Sequence, residues 1–495
     1  MSSRDEQPNA SDGSCFITRT FHTCSKTLPR STQLKIPCGR KQKQFQKKVL
    51  PPGRTALRLT HRKSRWNSTI SGSCARQSRG MGSRVSVYGA CPDPEPMIDA
   101  LPLDLMLEQP LGWLRASLPK MERASREIRG LARNMGGAGS LKKAREEYLL
   151  RRWRDVTGEE ARDSRFSIIV PVHNEERSLP SFLGAMLASE IPPHADVLVA
   201  FILNASTDRG RAIIQARLAH INQPAMVKLP ASAFDPNRSD SAFQVRCDGL
   251  RFMVVETSTP GKANALNLGN ELALSESHIL AINVDANNWV EPDSIAFLYG
   301  RAKQELMDAS GSGAVIVNAR EYCPTRNDQS DVLAKGRIQR AEVSGCLFAW
   351  STHWIGGNNG FPQYAIEDYG TGLLALLQGK RIVESEAGIW VFTPSNPSDE
   401  NRQAIRFIYG AMQLARQFHG DPAAMEVLLD DFHYLRPASE RFMFYYRRKR
   451  KAGRRAAFIR AVFRWMLDEI LIIRAHQMFR RDPEGQTWEP IRSTK

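Results

Sequence analysis

The chain has 495 residues, 42% of them hydrophobic and 24% charged, with a formal net charge of +17. That length accommodates about two or three domains, each able to bury a core. The charge is uneven: residues 1–90 hold 18 Lys and Arg against 3 acids, +15, which leaves +2 for the other 405 residues. Of the eight cysteines, five sit in or beside that stretch and none falls in a CxxC or Cys/His spacing, which excludes a zinc module and a disulfide scaffold. No run of about 18 apolar residues appears, so no membrane-spanning helix is expected.

Residues 1–96 are rich in Ser, Arg, Lys, Gln and Thr without apolar periodicity, the composition of a basic disordered tail. An organellar transit peptide and an over-long start with Met81 or Met97 downstream stay open beside that reading. Residues 97–163 turn helical: Leu118, Met121, Ile128, Leu131 and Met135 recur at roughly helical intervals, and after "GGAGS" the segment "SLKKAREEYLLRRWRDV" continues the pattern. A helical lead-in packed on the main domain is the expectation.

From residue 164 the period changes. "FSIIVPV" is a short β-branched run without alternation, as in a parallel strand buried on both faces, and polar "HNEERS" leads from it into a helix with Leu179, Phe182, Leu183 and Met186. "ADVLVAFIL" repeats the theme and ends in "NASTDRG". "RFMVVETSTPGKANALNLGNELAL" gives a strand, a Pro-Gly turn and a helix from near Lys262; "SHILAINVDANN" gives a strand ending on Asp285; "GAVIVNARE" supplies another. Strand, polar turn and helix in repetition define an α/β fold, a mostly parallel Rossmann-like sheet covered by helices, over residues 164–400. Ligands of such sheets sit beyond the carboxyl ends of the strands, which directs attention to the turns.

The order of these turns resembles the family 2 glycosyltransferases, inverting enzymes of the GT-A fold that use nucleotide sugars. The resemblance rests on "SIIVPVHNEE", on "LNASTD", on the intact Gly-Lys-Ala-x-Ala-Leu-Asn of Gly261 to Asn267, and on Asp285-Ala286-Asn287 followed by "EPDS". It continues through "WIGGNNGFPQYAIEDYGTG", with Gly356, Gly357, Glu367 and Asp368, and through Gln403 and Arg406, where Phe407 replaces the tryptophan of processive members. The resemblance implies Asp368, paired with Glu367, as catalytic base. It implies nucleotide-sugar contacts from Pro171, Asn174, Glu175, Asn204, Asp208, Lys262, Asn267, Asp285, Gln403 and Arg406. It also implies a divalent cation, Mg²⁺ or Mn²⁺, at Asp285 and Asn287, a site weakened because an amide stands where the family has a second carboxylate.

The implied activity is a hexosyltransferase moving sugar from a nucleotide diphosphate donor, most often a UDP sugar, to a saccharide or lipid-linked acceptor in polysaccharide biosynthesis. In the inverting step an acceptor hydroxyl attacks the anomeric carbon while a carboxylate takes its proton. The altered tryptophan favours single additions. Two other readings compete: a catalytically weakened transferase-like binding protein, and a basic nucleic-acid-binding protein using the tail and the Arg447 cluster. For the latter no aromatic-interleaved RNA motif, helix-turn-helix or zinc spacing is present, so no specific nucleic acid is expected.

Residues 401–495 form a basic helical C-terminal region. A run from Arg447 to Arg455 precedes a helix carrying Phe458, Ile459, Val462, Phe463, Met466, Ile470 and Ile473 at amphipathic spacing. The plain expectation is that this apolar face packs on the catalytic domain; contact with an anionic lipid surface is the functional alternative. The expected location is cytoplasmic, with a peripheral position at the inner membrane face as the alternative.

Overall fold

The computed structural model describes residues 111–136, 140–219, 225–226, 241–247, 250–306, 313–324, 332–334, 341–391, 396–449 and 454–485. All of them fall in one unit, Tyr88–Lys495. The expected tail at 1–96, with its cysteines, and the start of the lead-in lie outside the described residues.

The chain opens with two helices, α1 (Leu111–Asn134) and α2 (Ser140–Thr157). There follow β1 (Arg165–Val172), α3 (Leu179–Leu187), β2 (Asp196–Asn204), α4 (Gly210–Ala219), β3 (Ala225–Met226), β4 (Ser241–Cys247) and β5 (Leu250–Thr257). Next come α5 (Lys262–Ser275), β6 (Leu280–Val284), β7 (Trp289–Val290), α6 (Ser294–Leu306), β8 (Ala314–Pro324), β9 (Val332–Ala334) and β10 (Leu347–Ser351). The short α7 (Thr352–Gly357), then α8 (Glu367–Leu377) and β11 (Arg381–Trp390), complete the sheet region. Four helices close the chain: α9 (Pro397–Gln417), α10 (Pro422–Asp431), α11 (Ala438–Lys449) and α12 (Arg454–Arg481).

Among the described residues one mixed sheet contains all eleven strands, in the order β3-β4-β5-β2-β1-β6-β10-β8-β11-β7 with β9 paired to β8. Its centre is four parallel strands, β5-β2-β1-β6. The chain moves outward from β1 through β2 to β5 and then crosses back to place β6 on the other side of β1, so the winding reverses between β1 and β6. A crevice opens at the carboxyl ends of strands at such a reversal. Ile168, Ile169 and Val170 of β1 are fully buried, because helices cover both faces of the sheet. Beyond β6 the pairing turns antiparallel: β10 runs against both β6 and β8, so the segment entering β10 arrives at the carboxyl end of β6.

The lead-in helices are part of this core. Trp113 and Trp153 are buried in the same cluster as β1, β2 and β6; the Trp113 indole donates to the Val290 carbonyl at 2.8 Å, and Trp153 stacks on Phe166 and Tyr299. Lys120 of α1 reaches Glu291 and Asp293, both at 2.7 Å, and so ties down "EPDS" just before α6. At the other end of the sheet region, α9 begins at Pro397 behind an Asn396 cap that accepts from the Asp399 amide at 2.9 Å, and it runs unbroken across the expected boundary at residue 400. Tyr369 and Leu373 of α8 pack with Leu414 of α9 and Leu428 of α10 in one cluster, which fixes α9 beside the sheet's carboxyl edge.

The last helix reverses one expectation. Ala461, Leu471 and Ala475 of α12 are its buried apolar residues, Leu471 and Ala475 packing against Ile408 and Tyr409 of α9, whereas Ile459, Phe463, Met466, Ile470 and Ile473 face solvent. Small residues allow the close helix contact, and the bulky row is left on the opposite side.

Candidate active site

β6 ends at Val284, and the next residue, Asp285, turns its carboxylate toward Lys262 of α5. Its backbone N–H donates to the Cys346 carbonyl at 3.0 Å, which locks the turn to the segment entering β10. α5 begins at Lys262 after Gly261, whose φ of 108° belongs to a region that L side chains rarely adopt. That turn delivers the Lys262 ammonium onto Asp285, 2.8 Å from Oδ1 and 2.9 Å from Oδ2, and within 2.5 Å of the Gly345 carbonyl. The Asn283 amide donates to Asp285 Oδ1 at 3.2 Å and to the same Gly345 carbonyl at 2.9 Å.

Opposite stands the amino end of α8. Glu367 is 3% exposed and lies between two cations, Lys262 Nζ at 3.6 Å and Arg406 Nη2 at 3.5 Å. Arg406, on α9, is held by a bond of 2.7 Å from its Nε to the Ala365 carbonyl. Asp368 follows on the helix, its Oδ1 accepting from the Tyr369 backbone N–H at 2.8 Å. Gly345 backs onto this carboxylate: a Cβ there would overlap Asp368 Oδ2 and lie 3.3 Å from Cγ. The site thus gathers three carboxylates and two basic side chains at the carboxyl end of β6, with Asp285, Lys262, Glu367 and Arg406 joined by ion pairs.

The electrostatics follow from that crowding. Burial raises the Asp368 carboxyl, the adjacent Glu367 charge raises it further, and Lys262 and Arg406 hold the result to about 6. Burial likewise lifts Asp285, against the pull of Lys262. For Lys262 burial alone would lower the pKa, but Asp285 first, then Glu367 and Asp368, hold it above its ordinary value, so the lysine is a fixed positive charge.

The other expected residues form a second group at the ends of β1 and β2. Pro171 is in β1, paired with Ile202, and Asn174 takes φ 55° just after the strand. The Asn174 side-chain oxygen accepts from the Thr207 N–H at 2.8 Å, and Asp208 accepts from the N–H groups of Glu176 at 2.7 Å and Gly210 at 3.0 Å. These bonds staple the two turns together. Glu175 is buried and accepts from the Ser178 hydroxyl at 2.8 Å. Asn204 is 3% exposed, and its Oδ1 has no hydrogen-bond donor in the structure.

Asn267 faces neither group. Its amide bonds both the N–H (2.5 Å) and the carbonyl (3.1 Å) of Phe361, pinning the loop that precedes α8. Gln403 sits one turn before Arg406 on α9, half-buried. Sequence reasoning passed over Asn283 and Gly345. A buried asparagine inside the apolar "LAINV" was a readable signal; Gly345 had little, since what it supplies is a backbone carbonyl and the room left by an absent side chain.

A divalent cation held by the protein does not fit this donor set. Asp285 and Asn287 offer two oxygen-bearing side chains, both oxygens of the one carboxylate already face an ammonium, and no three His, Cys, Asp or Glu among the described residues are placed to share an ion. The positive charge at this position is that of Lys262.

No protein-family model matches the sequence, and neither does any curated protein sequence. Among solved structures the chain is similar to the mannosyltransferase PcManGT from Pyrobaculum calidifontis, solved in complex with GDP-Man and Mn²⁺. The two are 16% identical, with 68% of this chain and 89% of that chain covered and a TM-score of 0.40. It is also similar to S. aureus TarS 1–349 in complex with UDP-GlcNAc, 14% identical, covering 66% of this chain and 93% of that one at a TM-score of 0.34. Against the longer TarS structure, 14% identical at a TM-score of 0.32, 51% of this chain matches and spans 40% of that chain. Likeness this distant says nothing of what this chain binds or turns over.

Proposed function

We propose that this chain is an inverting glycosyltransferase of the GT-A type, which takes its sugar from a nucleoside diphosphate donor, UDP in the first instance. The observation that carries the reading is the chain of ion pairs Asp285–Lys262–Glu367–Arg406, with Asp368 next to Glu367 and under the influence of both cations, at the point where the winding of the sheet reverses.

In this reading Asp368 is the general base. A carboxylate titrating at about 6 is ionised at neutral pH yet basic enough to accept a hydroxyl proton as the anomeric carbon is attacked. The departing diphosphate gains negative charge, which Lys262 and Arg406 stabilise from fixed positions in a site partly closed to water. Glu367 is a positioning residue: it spaces the two cations and raises the pKa of Asp368. On the donor side, the free acceptor oxygen of Asn204 suits a base or ribose donor group. The acceptor is a hydroxyl of a saccharide or a lipid-linked sugar.

The test is release of nucleoside diphosphate from a panel of nucleotide sugars, comparing wild type with Asp368→Asn. The reading expects a sugar-dependent signal that falls by about a hundredfold or more in the variant while nucleotide affinity holds. Equal release from both proteins would remove Asp368 from the chemistry.

A further inference from the structure

We propose that the outward face of α12 docks on an anionic lipid bilayer, lying along it without crossing. The helix is apolar on two opposite sides. One side, with Ala461, Leu471 and Ala475, is buried, Leu471 and Ala475 against α9; the other carries Ile459, Phe463, Met466, Ile470 and Ile473, each between 48% and 72% exposed. Steps of four and three residues keep these five on one stripe from Ile459 to Ile473, about 21 Å at 1.5 Å per residue, within a helix 28 residues long. Scattered exposed apolar residues are ordinary on a protein surface, but a continuous row directly opposite the packed side is not.

The charges select the occupant. α12 has two acidic residues, and both are engaged: Asp468 is buried, accepts from the Tyr445 hydroxyl and forms an ion pair with Arg464 Nε at 3.3 Å, while Glu469 accepts from Arg441 Nε at 2.9 Å. Arg460, Arg464, Arg474, Arg480 and Arg481 are exposed around the stripe. Just ahead of it, residues 447–455 hold seven Lys and Arg and no acid. Apolar side chains in the acyl boundary with arginines at headgroup level match an anionic lipid surface. A second copy of this helix would bring basic flank against basic flank, and a nucleic acid would leave the apolar row in water. No described helix is long and apolar enough to cross a membrane, so the contact is with the surface.

The experiment is vesicle co-sedimentation of the full chain with phosphatidylcholine alone and with phosphatidylcholine containing phosphatidylglycerol. The paired variant Phe463→Ser with Ile470→Ser changes no charge and touches no buried side chain. Wild type should bind the anionic vesicles, weaken with added salt and leave the neutral ones in solution. The paired variant should bind about tenfold less tightly or worse, with an unchanged urea midpoint. Equal binding by variant and wild type would place the attraction in basic segments elsewhere and overturn the assignment. So would the absence of vesicle binding, or a lipid-free dimer of wild type that the variant abolishes.

Discussion

Replacing Lys262 by methionine removes one positive charge and leaves Asp285, Glu367 and Asp368 facing one another. The ammonium stands 2.8 and 2.9 Å from the two Asp285 oxygens and 3.6 Å from Glu367, with Lys262 and Asp285 each about four-fifths buried. Breaking a fully buried pair costs about 3–5 kcal/mol; the residual exposure here sets the expectation at about 2–3 kcal/mol near pH 8. The loss should depend on pH, and the sign is fixed by the carboxyls. The folded-state pKa values of Asp285 and Asp368 are raised, Asp368 to about 6. Stability from such groups is complete below their unfolded values, near pH 4, and is lost as pH rises through the folded values. Without the lysine those values climb further, so the gap between variant and wild type should widen from about 1 kcal/mol near pH 5 to its full size near pH 8. Urea unfolding at both pH values measures it. A gap of the same size at both would refute the claim that Lys262 offsets carboxylate charge.

Turnover of wild type should rise with pH through about 6 and level off above it, as Asp368 loses its proton, and Asp368→Asn should remove that dependence with the activity; a pH-rate profile reads both. Gly345→Ala pushes a methyl onto Asp368 Oδ2, and relief requires a shift of roughly 1 Å, which should lower turnover about a hundredfold with nucleotide affinity nearly unchanged. Trp153→Ala empties a fully buried position stacked on Phe166 and Tyr299 and should cost about 3–5 kcal/mol in urea unfolding. A loss below about 1 kcal/mol would mean the lead-in helices are not part of the core.

The parallel centre of the sheet is legible because its strands are apolar runs with no alternation, each giving way to polar residues: Val172 before His173, Leu203 before Asn204, Val284 before Asp285. The antiparallel strands β4 and β10 are not. "SAFQVRC" and "LFAWS" are short, and their pairing is decided by neighbours far away in sequence, β5 for the first and β6 with β8 for the second. The same gap hid Gly345, which lies in the entry to β10. The motifs single out Asp285, Lys262, Glu367, Asp368 and Arg406, and the fold joins all but Asp368 through ion pairs. Asn267 and Asp208 were assigned to nucleotide, yet their polar atoms are taken up by backbone at Phe361 and at Glu176 and Gly210. Spacing does not reveal whether an amide or carboxylate ties down a loop or meets a ligand. In α12 periodicity located an apolar face correctly, but small Ala461 and Ala475 made the opposite side the packed one.

The most direct test of the central claim is calorimetric titration of UDP into the full chain, in EDTA and again with Mn²⁺. A crevice whose diphosphate charge is met by Lys262 and Arg406 should bind in EDTA, with an affinity that Mn²⁺ changes by no more than about threefold. Failure of both UDP and GDP to bind, with or without the metal, would contradict a nucleotide-sugar site at the carboxyl end of β6.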